Sequence, residues 1–274
     1  MKIKIIMLSF LIVGLSCQKQ PDLFAIENLN NNTISSFGHA GMGLGHKFPI
    51  NSMESIYKCL SLQPTGVEFD LQLSKDSVFV AFHDRTLQEM TNISGEIYQE
   101  DWSFIQTGIY NDPPLTEYRI ASFEEIISNI SNPKDFIYVL DNQIYLEQLD
   151  EAYADFYVKK LLEFIDQHDL SENVYIEFAE RIMLEKIKAL RPELKVFIQS
   201  SSDLAISIAK ELDLYGIVGR NNDFTKERIQ EIHNEGLRVA MFSLHSSNTN
   251  KEAIEKHPDF LQSDKIRSLV ELLE

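Results

Sequence analysis

From about residue 34 onward, short runs of apolar and β-branched residues alternate with stretches in which apolar residues recur every three or four positions. The first pattern is typical of buried strands and the second of amphipathic helices. The predicted strands span 34–39, 66–72, 136–141, 173–178, 194–199, 214–218, 237–242 and 259–262. The predicted helices span 52–62, 122–129, 147–167, 180–190, 202–211 and 224–235. Eight such alternations predict an α/β protein whose parallel strands close into a (β/α)8 TIM barrel.

One part of the pattern departs from this alternation. A further β-rich run, 78–82, follows the second predicted strand after the turn residues 74–77, so we expect a hairpin inserted after barrel strand two. The segment 84–121 that comes next has little periodicity. A long irregular insertion in a compact domain is usually functional, and in a TIM barrel the functional residues lie at the carboxyl ends of the strands.

The N-terminal residues have a different character. Lys2 and Lys4 precede an almost uninterrupted apolar run over 5–15, and Ser16 and Cys17 follow it. A basic head, a short apolar stretch and a small residue are typical of a secretory signal, since the apolar run is too short to span a bilayer comfortably. An ordinary cleaved signal and a hydrophobic anchor are both compatible with this pattern.

The residues around Cys17 favour a lipoprotein signal. They resemble a bacterial lipoprotein box, in which the cysteine is lipidated, although Gly14 stands where leucine is usual. We therefore expect a signal peptide over 1–16, a flexible polar tether over 17–33 and one folded domain over 34–274. The expected location is the bacterial cell envelope, with the exported protein anchored to a membrane, on its periplasmic or outer face, through lipid.

Composition limits the classes of function. Hydrophobic residues make up 44% of the 274 residues, which is enough for one large core without disulfides. Cys59 lies in a helical apolar pattern and has no partner if Cys17 carries lipid, so a cysteine-based site is not expected. The formal net charge of −17 argues against nucleic acid as a partner. An anionic substrate would need a local cation.

Carboxylates fall at the predicted carboxyl ends of neighbouring strands. Glu68 and Asp70 are two residues apart on one strand and therefore point the same way. Asp141 and Glu177 end the next two barrel strands. Two adjacent carboxylates repel each other unless they share a proton or a cation, and ligand sets made only of oxygen favour Mg²⁺ or Ca²⁺. The alternative is a solvated acidic strand.

Two histidines follow strands in the same region. His39 lies on a glycine-rich turn after the first strand, and His83 follows the inserted hairpin. Either residue alone would most often be a hydrogen-bonded structural histidine. Phosphodiester cleavage requires one proton to be removed from the attacking oxygen and one to be supplied to the leaving oxygen, and histidine suits both tasks near neutral pH.

Several motifs occur in an order that resembles the glycerophosphodiester phosphodiesterase family. The motifs are His39-Ala40-Gly41, Phe48-Pro49-Ile50-Asn51-Ser52, Gly66-Val67-Glu68-Phe69-Asp70 and Phe82-His83-Asp84. The resemblance covers roughly 34–274 and implies a TIM barrel that hydrolyses glycerophosphodiesters to glycerol 3-phosphate and an alcohol with a divalent metal. It also implies that lysophospholipids are candidate substrates.

The resemblance also implies roles for individual residues. His39 and His83 match the catalytic acid–base pair. Glu68 and Asp70 match two metal ligands, and Asp141 falls where the family has a third acidic ligand. The residues that we expect to bind substrate are Asn51, Arg85, Gln143 and Glu177.

Departures from the family pattern leave the substrate open. Ala40 stands where the family has an arginine, and Gln143 where it has a lysine. Arginine holds phosphate through two hydrogen bonds, so its loss removes a strong contact. Arg85, Lys47 and Arg220 are candidates to replace it. One alternative is a related phospholipase C- or D-like enzyme acting through a cyclic phosphate, and another is a non-catalytic lipoprotein that binds phospholipid head groups or glycans.

Overall fold

The computed structural model describes residues 26–111, 117–145 and 149–274. The strands of this part of the chain are β1 (Ser35–Gly38), β2 (Gly66–Leu73), β3 (Phe79–Ala81), β4 (Ala121–Ser122), β5 (Ile137–Asn142), β6 (Val174–Phe178), β7 (Lys195–Gln199), β8 (Gly216–Arg220), β9 (Arg238–Leu244) and β10 (Phe260–Ser263). Eight of them run parallel in the order β1, β2, β5, β6, β7, β8, β9, β10, and the sheet closes because β1 pairs with both β2 and β10. The predicted TIM barrel is confirmed.

Helices cover the outside of the barrel. They are α1 (Met53–Leu60), α2 (Trp102–Ile105), α3 (Phe123–Ser128), α4 (Glu151–Gln167), α5 (Arg181–Leu190), α6 (Asp203–Glu211), α7 (Lys226–Asn234), α8 (Ser247–Ile254) and α9 (Ile266–Leu273). Several begin at a side-chain cap, such as Asp150 before α4 and Ser202 before α6, which accept hydrogen bonds from backbone N–H groups of the first turn. Their apolar faces pack against the strands, and Cys59 of α1 is fully buried there.

The inserted hairpin is present and is larger than its sequence pattern suggests. β2 and β3 pair antiparallel, with Leu71 opposite Ala81, and the two-residue strand β4 adds to the edge of β3. The insertion has a hydrophobic cluster of its own, formed by Val80, Phe82, Leu87, Ile97, Ile105, Tyr110 and Ile120. The segment 84–121 is therefore packed around its own core where it is described.

The interior of the barrel is filled by large side chains below the level of the polar strand ends. This cluster consists of Phe37, Val139, Tyr175, Phe197, Val218, Ala240 and Phe260. Tyr175 and Phe260 meet edge to face with ring centroids 5.4 Å apart. The barrel is thus a packed core rather than a channel, and it supports the polar residues at its carboxyl end from below.

Residues 26–33, which the sequence interpretation places in the flexible tether, pack against the opposite end of the barrel. Ile26 is buried, and the Leu29 backbone N–H donates to Asp259 Oδ1 at 2.7 Å. Arg238 Nε donates to Asn30 Oδ1 at 2.9 Å. These contacts fix the segment because Asp259 and Arg238 lie at the amino ends of β10 and β9.

The remaining N-terminal predictions lie outside the described residues. These are the signal peptide 1–16, the lipidation of Cys17 and the first part of the tether, 17–25. Within the described ranges, none of the helices combines the length and the apolar character needed to span a membrane.

Candidate active site

His39 lies directly after β1, with its ring held at the mouth of the barrel. Its Nδ1 is 2.8 Å from Asp264 Oδ1, and its ring stacks on Phe242 with a centroid distance of 6.0 Å. Burial alone would lower the pKa of His39, but the hydrogen bond and charge of Asp264, with the charges of Asp70 and Asp141, outweigh it and raise this pKa. The arrangement favours an imidazole that accepts a proton.

Asp264, the residue after β10, holds two histidines at once. Its side chain is 1% exposed, and its second oxygen, Oδ2, is hydrogen-bonded to Nδ1 of His245. Burial would raise the pKa of Asp264, yet its bonds to His39 and His245 keep this pKa below the ordinary value, so the carboxylate stays ionised. Gly43 covers it closely: a Cβ at Gly43 would lie 2.1 Å from the Asp264 Cα, and φ there is +80°.

Three carboxylates converge on the floor of the mouth. Oxygen atoms of Glu68, Asp70 and Asp141 lie within 4.8 Å of one another. Glu68 Oε2 accepts a hydrogen bond from the Ala40 backbone N–H at 2.6 Å, while Glu68 Oε1 is buried and has no hydrogen-bond partner among the described residues. A buried carboxylate oxygen without a donor, beside two further carboxylates, fits a bound divalent cation.

The electrostatics of these carboxylates support the same conclusion. Burial, followed by repulsion from Asp70, raises the pKa of Asp141 to about 7. Burial and the charges of Asp70 and Asp141 also raise the pKa of Glu68 well above its ordinary value. Without a cation, the cluster can lower its repulsion only by retaining protons.

Amide side chains orient two of the carboxylates. Gln143 Nε2 donates to Asp70 Oδ1 at 3.0 Å and to Asp141 Oδ2 at 2.9 Å, so it bridges the pair. Asn51 Nδ2 donates to Asp70 Oδ2 at 2.7 Å, and Asn51 Oδ1 accepts from the Asp70 backbone N–H. Asn51 is 0% exposed and lies beneath Asp70, which these hydrogen bonds hold in place.

His83 occupies the other side of the mouth. Its Nδ1 is 2.8 Å from Asp84 Oδ1, and its side chain is 54% exposed. Burial works against protonation, but the charge of Asp70 and the bond to Asp84 outweigh it and raise the pKa of His83. The loop is fixed because Gln72 Nε2 donates to the carbonyl oxygens of Phe82 and Asp84, both at 2.8 Å.

A pocket of about 720 Å³ connects these groups. Its lining includes His39, His83, Asp70, Asp141, Gln143, Glu177, Gln199, Arg220, Phe242, His245 and Gln262. Glu177 is buried, and its Oε1 accepts a hydrogen bond from Gln262 Nε2 at 2.7 Å. The structure therefore brings both predicted histidines together with Asp70, Asp141, Gln143 and Glu177 in one cavity, and the buried Glu68 lies beside Asp70 and Asp141.

The candidates to replace the missing arginine are placed differently. Arg85 does not line the pocket; its Nε is 3.4 Å from Glu96, and its guanidinium lies over the Tyr145 ring. Lys47 also lies outside the lining, with Nζ over the Phe48 ring at 4.6 Å. Arg220 lines the pocket from the end of β8.

Sequence reasoning missed three residues of the site. Gln199 Nε2 donates to Asp141 Oδ2 at 3.1 Å, Gln262 bonds to Glu177, and His245 bonds to Asp264. Their positions along the chain could have identified them. Gln199 and Gln262 lie at the ends of predicted strands, and His245 lies three residues after the predicted strand 237–242. Polar residues at strand ends of a predicted barrel are site candidates whatever their type.

A TIM barrel with two histidines and three clustered carboxylates at its mouth has the architecture of an enzyme whose active site lies at the carboxyl ends of the strands. The family model for the glycerophosphoryl diester phosphodiesterase family matches residues 42–267, and the chain belongs to this family. It is a phosphoric diester hydrolase.

Individual relatives are distant but match over nearly their whole length. A glycerophosphodiester phosphodiesterase from Caldanaerobacter subterraneus subsp. tengcongensis is 21% identical over 85% of this chain and 96% of the relative. An Oleispira antarctica phosphodiesterase, solved in complex with the product sn-glycerol-3-phosphate, has a TM-score of 0.73 at 20% identity, covering 86% of this chain and 95% of that one. A glycerophosphodiester phosphodiesterase from Parabacteroides distasonis has a TM-score of 0.76 at 14% identity, covering 88% and 97%.

Proposed function

We propose that the enzyme hydrolyses glycerophosphodiesters to glycerol 3-phosphate and an alcohol, with a divalent cation held by Glu68, Asp70 and Asp141. The observation that carries the proposal is a pocket lined by two carboxylate-paired histidines and by Asp70 and Asp141, with the buried Glu68 beside these two carboxylates. The product complex of the Oleispira antarctica relative supports the same substrate class. Mg²⁺ and Ca²⁺ are the proposed metals because all three ligands are oxygen donors.

Two histidines divide the proton transfers. The buried Asp264 carboxylate stabilises the imidazolium form of His39, so we assign His39 as the base that accepts the proton of the attacking oxygen. His83, which is more exposed and paired with Asp84, is the acid that protonates the departing alcohol. A bound cation would offset the negative charge of the phosphate and of the transition state.

The side chains that line the pocket limit which groups can contact the substrate phosphate. Gln143 and Arg220 line it, while position 40 offers only an alanine side chain. Since β8 lies across the barrel from β2 and β5 in the strand order, Arg220 at the end of β8 lines the pocket from the side opposite Asp70 and Asp141. We propose that Arg220 supplies the positive charge that the family arginine at position 40 would otherwise supply to the phosphate.

The decisive test of the proposed function is product identity. Purified protein is incubated with glycerophosphocholine, glycerophosphoethanolamine, glycerophosphoglycerol and a lysophospholipid, with Mg²⁺, with Ca²⁺ and with excess EDTA. We expect metal-dependent release of glycerol 3-phosphate, detected by a coupled dehydrogenase and by phosphorus NMR. A cyclic phosphate as the final product would favour the phospholipase-like alternative, and ligand binding without turnover of any substrate would favour the binding lipoprotein.

Location remains a prediction. We propose that the protein is exported and lipid-anchored through Cys17 in the cell envelope, on the basis of the N-terminal sequence pattern alone. Metabolic labelling with a radioactive fatty acid, compared between the natural chain and Cys17→Ala, tests the anchor.

Metal should stabilise the protein more as the pH rises. In the metal-free folded state the pKa of Asp141 is raised to about 7, so folding takes up protons and stability is lost as the pH rises from about 4 towards 7. Metal binding removes this penalty by replacing the protons. At a 100-fold excess over Kd the gain is about 2.7 kcal/mol, which for a domain of this size raises Tm on the order of 5–10 °C.

The measurement is thermal unfolding with and without Ca²⁺ or Mg²⁺ at pH 5 and pH 8. We expect the larger metal-induced shift at pH 8 and a much smaller one at both pH values for Asp141→Asn. An equal shift at both pH values in the natural protein would contradict the assignment of the cluster as the binding site.

A further inference from the structure

His245 shares the carboxylate that holds the proposed catalytic base. Asp264 Oδ1 is bonded to His39 Nδ1 and Asp264 Oδ2 to His245 Nδ1. An ionised carboxylate only accepts hydrogen bonds, so both Nδ1 atoms must carry hydrogen. The two rings therefore present Nε2 away from Asp264, and both side chains line the pocket.

The backbone before His245 is shaped to bring its ring to Asp264. The register between β9 and β10 shifts between Leu261, opposite Met241, and Ser263, opposite Leu244. Within that shift, Ser243 adopts a φ of +64°, which is an unfavourable conformation for a residue with a side chain. Such bulges re-aim side chains at the ends of strands beside active sites. Here the bulge precedes His245 by two residues.

We propose that His245 is a positioning residue for the catalytic reaction, acting through Asp264 on His39. By bonding Oδ2, it prevents rotation of the carboxylate and reserves Oδ1 for His39. The Nδ1–H form of His39 is thereby fixed, and its Nε2 lone pair faces the pocket, where a base must be. The expected change in kcat rests on the proposed function, whereas the expected position of the His39 ring hydrogen does not.

Two substitutions separate this role from a direct contact with substrate. In His245→Asn the amide nitrogen stands on Cγ, as Nδ1 does, so the donor to Asp264 is kept while Nε2 is lost. In His245→Gln the amide extends one bond further and mimics Nε2 instead. His245→Ala removes both groups, and we expect it to lower kcat roughly tenfold, the effect of losing one ordering hydrogen bond to a charged group, with little change in KM.

The proposal requires His245→Asn to restore most of kcat and His245→Gln to remain close to His245→Ala. The reverse order, or a loss that falls mainly on KM, would show that Nε2 contacts substrate and would overturn it. His46→Ala is the matched control, because His46 does not line the pocket and is not bonded to Asp264.

A second measurement does not depend on turnover. In protein labelled with ¹⁵N-histidine, the ring nitrogen shifts report which nitrogen carries hydrogen. Neutral His39 should be the Nδ1–H form in the natural protein and in His245→Asn, and a mixture of both forms in His245→Ala. An unchanged His39 in His245→Ala would overturn the inference, whereas failure to hydrolyse any glycerophosphodiester would overturn only the proposed function.

Discussion

Replacing His39 by alanine is expected to lower kcat/KM for glycerophosphodiester hydrolysis about 10²–10⁴-fold, the range that a general base contributes. The reason is structural: His39 is the imidazole that a buried, ionised carboxylate holds at the mouth of the pocket. Steady-state kinetics with saturating Mg²⁺ or Ca²⁺ provide the measurement. His83→Ala should lose rate within the same range.

The two histidines should differ in how the loss depends on the leaving group. If His83 protonates the alcohol, a substrate with a good leaving group such as p-nitrophenol should rescue His83→Ala and leave His39→Ala impaired. Near-normal turnover of either variant would refute the pair, and rescue of His39→Ala alone would reverse the two roles. His46→Ala is again the control, because it removes a histidine that does not line the pocket.

The second large effect is expected from Asp70→Asn. Asp70 is a member of the carboxylate triad and the partner of both Asn51 and Gln143, so an amide in its place removes a charged ligand and disturbs two hydrogen bonds. Loss of an outer-shell partner already costs 10–100-fold in metal affinity, and loss of a ligand should cost more than about 100-fold. Isothermal titration with Ca²⁺ and Mg²⁺ measures the affinity directly.

Activity should follow affinity in this variant. Raising the metal concentration should recover part of the activity of Asp70→Asn if the triad holds the metal, since the remaining carboxylates still bind it. Glu271→Gln, an exposed acidic residue of α9 with the same change in charge, is the matched control. Full activity of Asp70→Asn at low metal, or of the natural protein in excess EDTA, would refute the metal site.

The barrel could be predicted because its determinants are local. Each strand is a short β-rich apolar run between helical patterns, and parallel connections through helices leave few topologies open. β4 was missed because two residues carry no pattern, and it exists only through its pairing with β3. The packing of residues 26–33 was missed for a similar reason, since polar side chains such as Asn28 and Asn30 indicate a linker until their tertiary partners are known.

The sequence predicted the carboxylates and the catalytic histidine candidates of the site, but not the residues that hold them in place. Glu68 and Asp70 share a face by strand periodicity alone, and His39 and His83 follow strands. The position of Asn51 beneath Asp70 depends on a turn at φ +61° that the sequence does not indicate. His245 depends on a register shift between two strands, which is a property of their pairing and not of either segment alone.

The fixed segment 26–33 determines from which end of the barrel the chain leaves. It is bonded to Asp259 and Arg238 at the amino ends of the strands, while the pocket opens at the carboxyl ends. Should Cys17 be fixed to a membrane, as its sequence predicts, the nine residues 17–25 would reach at most about 30 Å. The amino ends of the strands, and not the pocket, would then lie nearest to the point of attachment.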